Sequence, residues 1–238
     1  MAKIELKELR RNFKVNEIRN NIFHLNIPNI YILCSTFFRL QEFYESPYKE
    51  IRNKYFSLEK AMDVYSLNNN NEFTYFQDWC GFNIPDNVVK KFFQLFNSPF
   101  RPLLKKEKVL YESILKCIIR NPNPSYLIAT CGHTDEMHEI SHGYYYLYPE
   151  YKEKMLSLVD SYSHKKTMIR YLRKKGYTDN VFNDEIQAYL ATSCPTELID
   201  ILELPKTWKY NEKFKEYFDE FDRKQKKLTK CEKQKSNK

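Results

Sequence analysis

Two histidines, His138 and His142, lie four residues apart in the stretch MHEISHGYYYL, and Glu139 directly follows the first of them. Residues i and i+4 of an α-helix share one face, so both imidazoles can point at one metal ion. Glu139 is rotated from His138 by about 100°, which places it beside a metal-bound water and not on the metal. This H-E-x-x-H spacing predicts one zinc ion per chain, with Glu139 as general base.

The residues around this motif predict a buried helix. It is apolar nearly all round, follows the β-leaning stretch SYLIAT and ends before Pro149. Two histidines and a glutamate in such a helix need polar partners, and a metal ion can supply them. The alternative is a helix whose histidines are hydrogen bonded within the core.

Zinc needs a third protein ligand, and the downstream stretch NDEIQAYL contains Glu185. At helical spacing Glu185 lies on an apolar face, where an uncompensated carboxylate is costly. That face is formed by Phe182, Ile186 and Tyr189. Asp184 falls on a different side of the helix. We therefore predict that Glu185 is the third zinc ligand.

His164 is the other candidate for the third ligand. SprT-like DNA-repair proteases hold zinc with three histidines, so a third histidine after the motif has to be considered. His164 belongs to the polar stretch SYSHKKTMIR, however, and a polar stretch favours a solvent-facing side chain.

The stretches YLIAT, HEISH and NDEIQAYL together resemble the gluzincin branch of the zincin metallopeptidases. In that family a strand precedes the HExxH helix, and a second helix supplies a glutamate ligand. The resemblance covers residues 125–192, and HEISH is its only specific motif. It implies a zinc ion held by His138, His142 and Glu185, and a metal-bound water that Glu139 activates to attack a peptide carbonyl.

The resemblance also implies roles that the motif itself does not assign. Gluzincins often use a tyrosine or histidine to stabilise the oxyanion, and Tyr189, Tyr146 and His133 are the candidates here. Tyr189 stands where the family usually has an aspartate that orients a histidine ligand, so that orienting role has no predicted residue. The SYLIAT strand is expected to pair with an extended substrate.

The composition favours an α+β fold that is mainly α, with a small sheet before the HExxH helix and a zincin-like core. The 238 residues include only 4 Gly, with 17 Phe and 19 Tyr. We predict a single zincin-like domain over residues 1–205, with residues 125–192 as its metal-binding core and an N-terminal half that can form a subdomain of helices and sheet. A C-terminal helix and a basic, partly disordered tail follow over 206–238. Residues 3–20 read as a polar helix and Ile30–Cys34 as a short strand.

The net charge of +8 comes mainly from the C-terminal region. Residues 206–238 carry 12 Lys and Arg against 6 Asp and Glu, so +6 of the +8 lies there. The rest of the chain is close to neutral and shows no basic surface typical of a nucleic-acid-binding protein. Contact with nucleic acid is expected only as weak binding by this basic tail.

The chain is expected to be intracellular, in the cytoplasm, with no membrane association. Its start, MAKIELKELRRNFK, has no apolar signal core, and no apolar run of about 18 residues follows. The six cysteines include no C-x-x-C pair and read as thiols in a reducing compartment.

The predicted function is a zinc-dependent metallopeptidase acting on a peptide or protein substrate. The alternative is a non-catalytic interaction protein, or a DNA-associated protein of the SprT-like kind, with the same zinc core. An aromatic stretch at Phe73–Pro85 has two interpretations, since it can line a substrate cleft or form a packed loop.

Overall fold

The structure, a computed structural model, describes residues 9–11, 13–67, 69–132, 136–205 and 210–236. The chain has an α+β fold that is mainly helical, with a small mixed sheet, so the fold class is confirmed at this level. None of the helices in the described residues combines the length and the apolar character that crossing a membrane requires.

The sheet contains four strands, and the helices are named here in chain order. The strands are β1 (Val15–Arg19), β2 (Ile22–Asn26), β3 (Gly81–Pro85) and β4 (Tyr126–Thr130). The helices are α1 (Ile30–Glu45), α2 (Leu58–Leu67), α3 (Tyr75–Asp78), α4 (Asp86–Phe96), α5 (Lys105–Ile114, followed by a π-helical turn at Leu115–Ile119), α6 (Glu136–Leu147), α7 (Pro149–Ser161), α8 (Lys165–Lys174), α9 (Phe182–Ala191), α10 (Thr196–Ile201) and α11 (Glu212–Ser236).

Strand β4, which contains most of the SYLIAT stretch, lies inside the sheet. The strand order is β1-β2-β4-β3, and β4 is parallel to β2 and antiparallel to β3. All five residues of β4 are buried, as expected for a short, continuously apolar strand. Both edges of β4 are already paired, so the prediction that this strand binds an extended substrate is wrong.

The chain divides into two compact units. The first comprises residues 1–17 and 21–136, and the second comprises residues 18–20 and 137–238. The division between them falls at the start of α6. The single domain over residues 1–205 stays a prediction, but all the residues of the predicted metal core after Glu136 belong to the second unit.

Helix α1 replaces the short strand that was predicted at Ile30–Cys34. The Asn29 side chain accepts a hydrogen bond from the backbone N–H of Ile32 at 3.0 Å and caps the helix at its start. The prediction failed because a short apolar run does not distinguish a strand from a buried helix. Most residues of α1 are buried in the core of the first unit.

The N-terminal prediction was also wrong in part. Residues 9–11 are helical, but Val15–Arg19 form β1, so the polar helix predicted over 3–20 does not continue there. Residues 3–8 lie outside the described residues. Val15 and Ile18, the apolar residues of VNEIR, lie three positions apart, which is helical spacing, and the strand is instead part of a sheet in which it neighbours β2, so the local pattern alone led to the error.

The Phe73–Pro85 stretch packs within the first unit. It forms α3 and β3, and Tyr75 and Phe82 are fully or almost fully buried. The Trp79 ring stacks on the Phe82 ring with centroids 5.9 Å apart. These contacts support the packed interpretation of this aromatic stretch.

In the second unit, α11 is longer than the sequence suggested. It continues to Ser236, where a partly disordered tail was predicted, while residues 206–209 and 237–238 lie outside the described residues. Phe214, Phe218 and Phe221 are buried at helical spacing, which gives α11 a packed face. This face contacts α7 and α9.

Hydrogen bonds to Asp222 of α11 connect this helix to Arg19 of β1 and to Tyr144 of α6. Arg19 Nε donates to Asp222 Oδ1 at 2.6 Å, and Tyr144 OH donates to the same oxygen at 2.7 Å. Lys226 Nζ lies 2.8 Å from the other carboxylate oxygen. Burial raises the pKa of Asp222, but these three donors outweigh it and hold the pKa below its usual range. The charge of Asp222 is therefore fully partnered.

Glu42 on α1 gives the first unit a stability that depends on pH. Its side chain is 4% exposed. Burial raises its pKa from 4.5 to about 7, and a hydrogen bond from Ser46 opposes this rise. The unfolded chain therefore ionises at lower pH than the folded protein. The contribution of Glu42 to stability is fully present below about pH 4.5 and is lost as the pH rises through about 7.

We expect Glu42→Gln to raise the free energy of unfolding at pH 8 by about 2–3 kcal/mol, because no ionised carboxylate then has to be buried. At pH 4 the variant and the wild type should be nearly equal. Chemical denaturation at the two pH values measures the difference. Glu50→Gln is the matched control, since Glu50 is 60% exposed, and an effect of Glu42→Gln that is equal at both pH values would contradict the argument.

Candidate metal centre

Helix α6 presents His138 and His142 on one face, as the i, i+4 spacing predicts. His142 is 2% exposed and His138 is partly buried. The ring centroids of the two histidines are 4.8 Å apart. Ile140 and Tyr144, on other sides of α6, are fully buried, so packing fixes the direction in which the two imidazoles point.

Helix α9 brings Glu185 to the same place. Glu185 lies in the first turn of α9, where the helix dipole favours an acidic side chain. Its side chain is buried at 6% exposure, and Phe182 and Ile186 on the same face are buried with it. The sequence prediction that Glu185 faces inward is therefore confirmed.

The three predicted ligands converge. The Nε2 atoms of His138 and His142 lie 3.2 Å apart. Glu185 Oε2 is 3.8 Å from His138 Nε2, and Glu185 Oε1 is 3.8 Å from His142 Nε2. In the described residues they are the group of three or more possible ligands whose atoms all lie within 4.8 Å of one another. Atoms that share a tetrahedral zinc ion at about 2.0–2.1 Å lie about 3.3 Å apart, so the donors fit one ion after small shifts.

The electrostatics of the three side chains also fit a cation. Burial lowers the pKa of His142, but Asp184, Glu185 and Glu139 together raise it to about 10. Burial raises the pKa of Glu185, but His142 and His138 hold it below its usual range. Glu185 Oε2 is buried and accepts no hydrogen bond of normal geometry from the described residues. A buried carboxylate oxygen in this position is a donor atom suited to a metal ion.

Asp184 contacts the far side of the His142 ring, and sequence reasoning missed it. Asp184 Oδ1 lies 2.9 Å from His142 Nδ1, although the direction does not meet the angle of a regular hydrogen bond. A carboxylate at Nδ1 orients a histidine whose Nε2 binds a metal. Its position next to Glu185 in the sequence is a sign that it lies near the site. The sequence analysis did not predict this role because Asp184 does not share the apolar face of the helix.

Thr192 is a second residue that the sequence analysis missed. Its Oγ1 lies 3.4 Å from His138 Nδ1 and donates to the backbone oxygen of Ala188 at 2.7 Å. Thr192 follows the last residue of α9. No sequence pattern pointed to it, since a threonine at a helix end is common in any fold.

Glu139 lies beside the three ligand residues but is not one of them. It is 6% exposed, and its charge raises the pKa of both His142 and Tyr189. This agrees with a position about 100° around α6 from His138. The arrangement suits a base next to a metal centre, and the catalytic role itself stays a prediction.

The three candidates for oxyanion stabilisation differ in position. The Tyr189 ring lies against His138, with centroids 4.8 Å apart, and its pKa is raised by burial and by the charge of Glu185. Tyr146 is 38% exposed on α6. His133 lies outside the described residues. The Tyr189 ring is therefore in contact with a ligand histidine.

His164 is not part of the group. It precedes the first residue of α8, is exposed, and its ring packs against Tyr162 with centroids 5.7 Å apart. Glu185, and not His164, therefore lies with His138 and His142.

Comparison with protein-family models, with curated proteins and with solved structures gives no match to this chain. The resemblance to the gluzincins therefore stays a prediction, carried by HEISH and by the convergence of three side chains.

We expect Glu185→Ala to weaken zinc binding strongly, because the site then keeps two protein ligands and loses its charge partner. His164→Ala is the control and should leave zinc binding nearly unchanged. Metal content after dialysis and a competition titration with a zinc chelator measure both. Strong loss of zinc in His164→Ala, with normal binding in Glu185→Ala, would reverse the assignment.

Proposed function

We propose that this chain is a zinc-dependent hydrolase that cleaves peptide bonds, with a gluzincin-like metal centre. One observation carries the proposal: His138 Nε2, His142 Nε2 and the Glu185 carboxylate converge, with buried Glu139 at the next position of the same helix. A site that only held the fold together would gain nothing from an acid at that position.

The donor set favours zinc over other common ions. Two imidazole nitrogens and one carboxylate form a three-ligand set that zinc enzymes use, whereas magnesium and calcium prefer oxygen ligands. Bound there, the ion would act as a Lewis acid on a substrate carbonyl and lower the pKa of a water molecule. The fit of the residues supports zinc, and the identity of the ion is part of the proposal.

Glu139 is the proposed general base and proton shuttle. Its carboxylate takes a proton from the attacking water and then gives this proton to the leaving amine, so Glu139 returns to its ionised form at the end. Glu139 is 6% exposed, which favours such a transfer because bulk water competes little for the carboxylate. Asp184 keeps the His142 ring in place during these steps.

Tyr189 is the proposed residue for oxyanion stabilisation. The ring lies against His138, and burial together with the Glu185 charge raises its hydroxyl pKa, so the hydroxyl keeps its proton at neutral pH. A neutral hydroxyl can donate a hydrogen bond to the negative charge that develops on a carbonyl oxygen. Tyr146, which is more exposed, is better placed to contact substrate.

The order of the elements supports a zincin-like core. Strand β4 precedes α6 with the motif, and α9 with the glutamate follows, as in the gluzincins that the sequence resembles. This order is also the basis for proposing a peptide or protein as substrate. The alternative function is a non-catalytic protein that keeps the same metal centre as a structural element.

We expect purified wild-type protein to hold about one zinc per chain and to cleave an unstructured protein such as fluorescently labelled casein. Glu139→Gln should keep the metal while hydrolysis falls by about 10²–10⁴-fold, since only the base is removed. His142→Gln should lose both metal and activity.

The control is Glu150→Gln, which makes the same change at an exposed position of α7 and should behave as wild type. Zinc content by elemental analysis and the rate of fluorescence release report the two properties separately. Metal-loaded protein that hydrolyses no substrate would favour the non-catalytic alternative. Activity that survives Glu139→Gln would rule out the proposed base.

A further inference from the structure

A chain of buried polar side chains continues from the metal centre into the second unit. Behind His142 lies Asp184, and Gln187 Nε2 donates to Asp184 Oδ1 at 2.9 Å. Gln187 Oε1 accepts from Ser141 Oγ at 2.8 Å and from Tyr151 OH at 3.2 Å. The side chains of Ser141, Gln187 and Tyr151 are completely buried.

The orientation of the Gln187 amide in this chain is determined by chemistry. An ionised carboxylate only accepts hydrogen bonds, so the amide nitrogen must face Asp184. The amide oxygen then faces the two hydroxyls, which can both donate to it. Reversing the amide would place Gln187 Oε1 against Asp184 Oδ1, and neither of these oxygens carries a proton to donate.

This orientation has a consequence at His142. Gln187 holds Asp184 Oδ1, which lies 2.9 Å from His142 Nδ1, and a carboxylate at this distance favours a proton on Nδ1. When the ring loses its second proton, as metal binding requires, the unprotonated Nε2 faces His138 and Glu185. The polar chain thus selects the tautomer that can bind a metal.

We propose that Gln187 is a positioning residue, which fixes Asp184 and through it the metal-binding tautomer and direction of His142. This inference rests on the metal centre proposed above. Gln187 acts across three helices, since Asp184 shares α9 with it, Ser141 belongs to α6 and Tyr151 to α7. It therefore sets how α6, α7 and α9 meet at the metal centre.

A purely structural role for this chain is a poor explanation. Buried apolar side chains of the same size stabilise helix packing at least as well as a buried polar network does, and every unmade hydrogen bond in such a network is costly. The same unit contains a second buried glutamine, Gln225 on α11, which is 2% exposed. Its Oε1 has no hydrogen-bond partner among the described residues, so Gln225 offers a matched comparison.

The test compares Gln187→Met with Gln225→Met, since both replace a buried amide by an apolar chain of similar size. Zinc affinity is measured by competition with a chromophoric chelator, and the stability of the metal-free protein is measured by thermal unfolding. We expect Gln187→Met to weaken zinc affinity by about 10–100-fold. Gln225→Met should leave zinc affinity within about twofold of wild type, whatever its effect on unfolding.

Cobalt substitution gives a readout that general destabilisation does not imitate. The visible absorption of Co²⁺ bound in place of zinc depends on the number and direction of its ligands. We expect Gln187→Met to change the position or intensity of these bands, and Gln225→Met to leave them as in wild type. Unchanged bands together with wild-type zinc affinity in Gln187→Met would overturn the proposal.

Gln187→Glu keeps the test valid if Gln187→Met does not fold. The ionised carboxylate still accepts from Ser141 and Tyr151 but cannot donate to Asp184, so zinc affinity, measured at a pH high enough to ionise it, should fall as in Gln187→Met. Tyr151→Phe leaves the donation to Asp184 intact and should have a smaller effect. Equal effects of Tyr151→Phe and Gln187→Glu would contradict the proposed role.

The outcomes also separate this inference from the proposed metal centre. Wild-type protein that binds neither zinc nor cobalt would overturn both. Wild-type protein that binds both ions, with Gln187→Met and Gln187→Glu as tight as wild type, would overturn the positioning role alone.

Discussion

Three carboxylates, those of Glu139, Asp184 and Glu185, surround two imidazoles inside the second unit. Glu139 and Glu185 are 6% exposed, so burial penalises their charges, and repulsion from the partly exposed Asp184 adds to the penalty. Protonation of His142, whose pKa is raised to about 10, offsets the charge only in part. A divalent cation between the two Nε2 atoms and the Glu185 carboxylate would offset more of it. This balance of charge is the constraint that the surrounding packing has to satisfy.

Helix α6 makes its polar contacts and its aromatic contacts on different sides. The side with His138 and His142 faces α9, which carries Asp184 and Glu185. Another side of α6 carries Tyr144, whose ring packs against the Phe221 ring of α11 with centroids 5.1 Å apart. The hydroxyl of Tyr144 donates to Asp222, so this buried phenol has a hydrogen-bond partner. The helix is thereby held from two directions, and the imidazoles have little freedom to turn away from Glu185.

Local spacing predicted the parts of this site that lie on single helices. The i, i+4 histidines and the inward glutamate follow from helical periodicity, because burial penalises polar groups on an apolar face. Gln187 and Thr192 could not be predicted in the same way, since Ser141, Tyr151 and His138 belong to other helices. Asp184 was missed because it does not share the apolar face with Glu185. In the first unit, Ile30–Cys34 gave the wrong element because a short apolar run fits a strand and a buried helix equally well. The helical end of α11 was missed because its many lysines obscured the spacing of its buried residues.

The bond between Arg19 and Asp222 joins positions 203 residues apart in the chain. Closing so long a loop costs entropy before any contact is gained, and contacts of this kind form late in folding. A protein emerges from the ribosome N-terminal end first, so α6 and its histidines are synthesised well before the helix that carries Asp222. Before α11 has been synthesised, the Tyr144 hydroxyl lacks its hydrogen-bond acceptor and α6 lacks the packing contacts that α11 provides. The candidate metal centre is therefore expected to become fully ordered only after α11 has been synthesised.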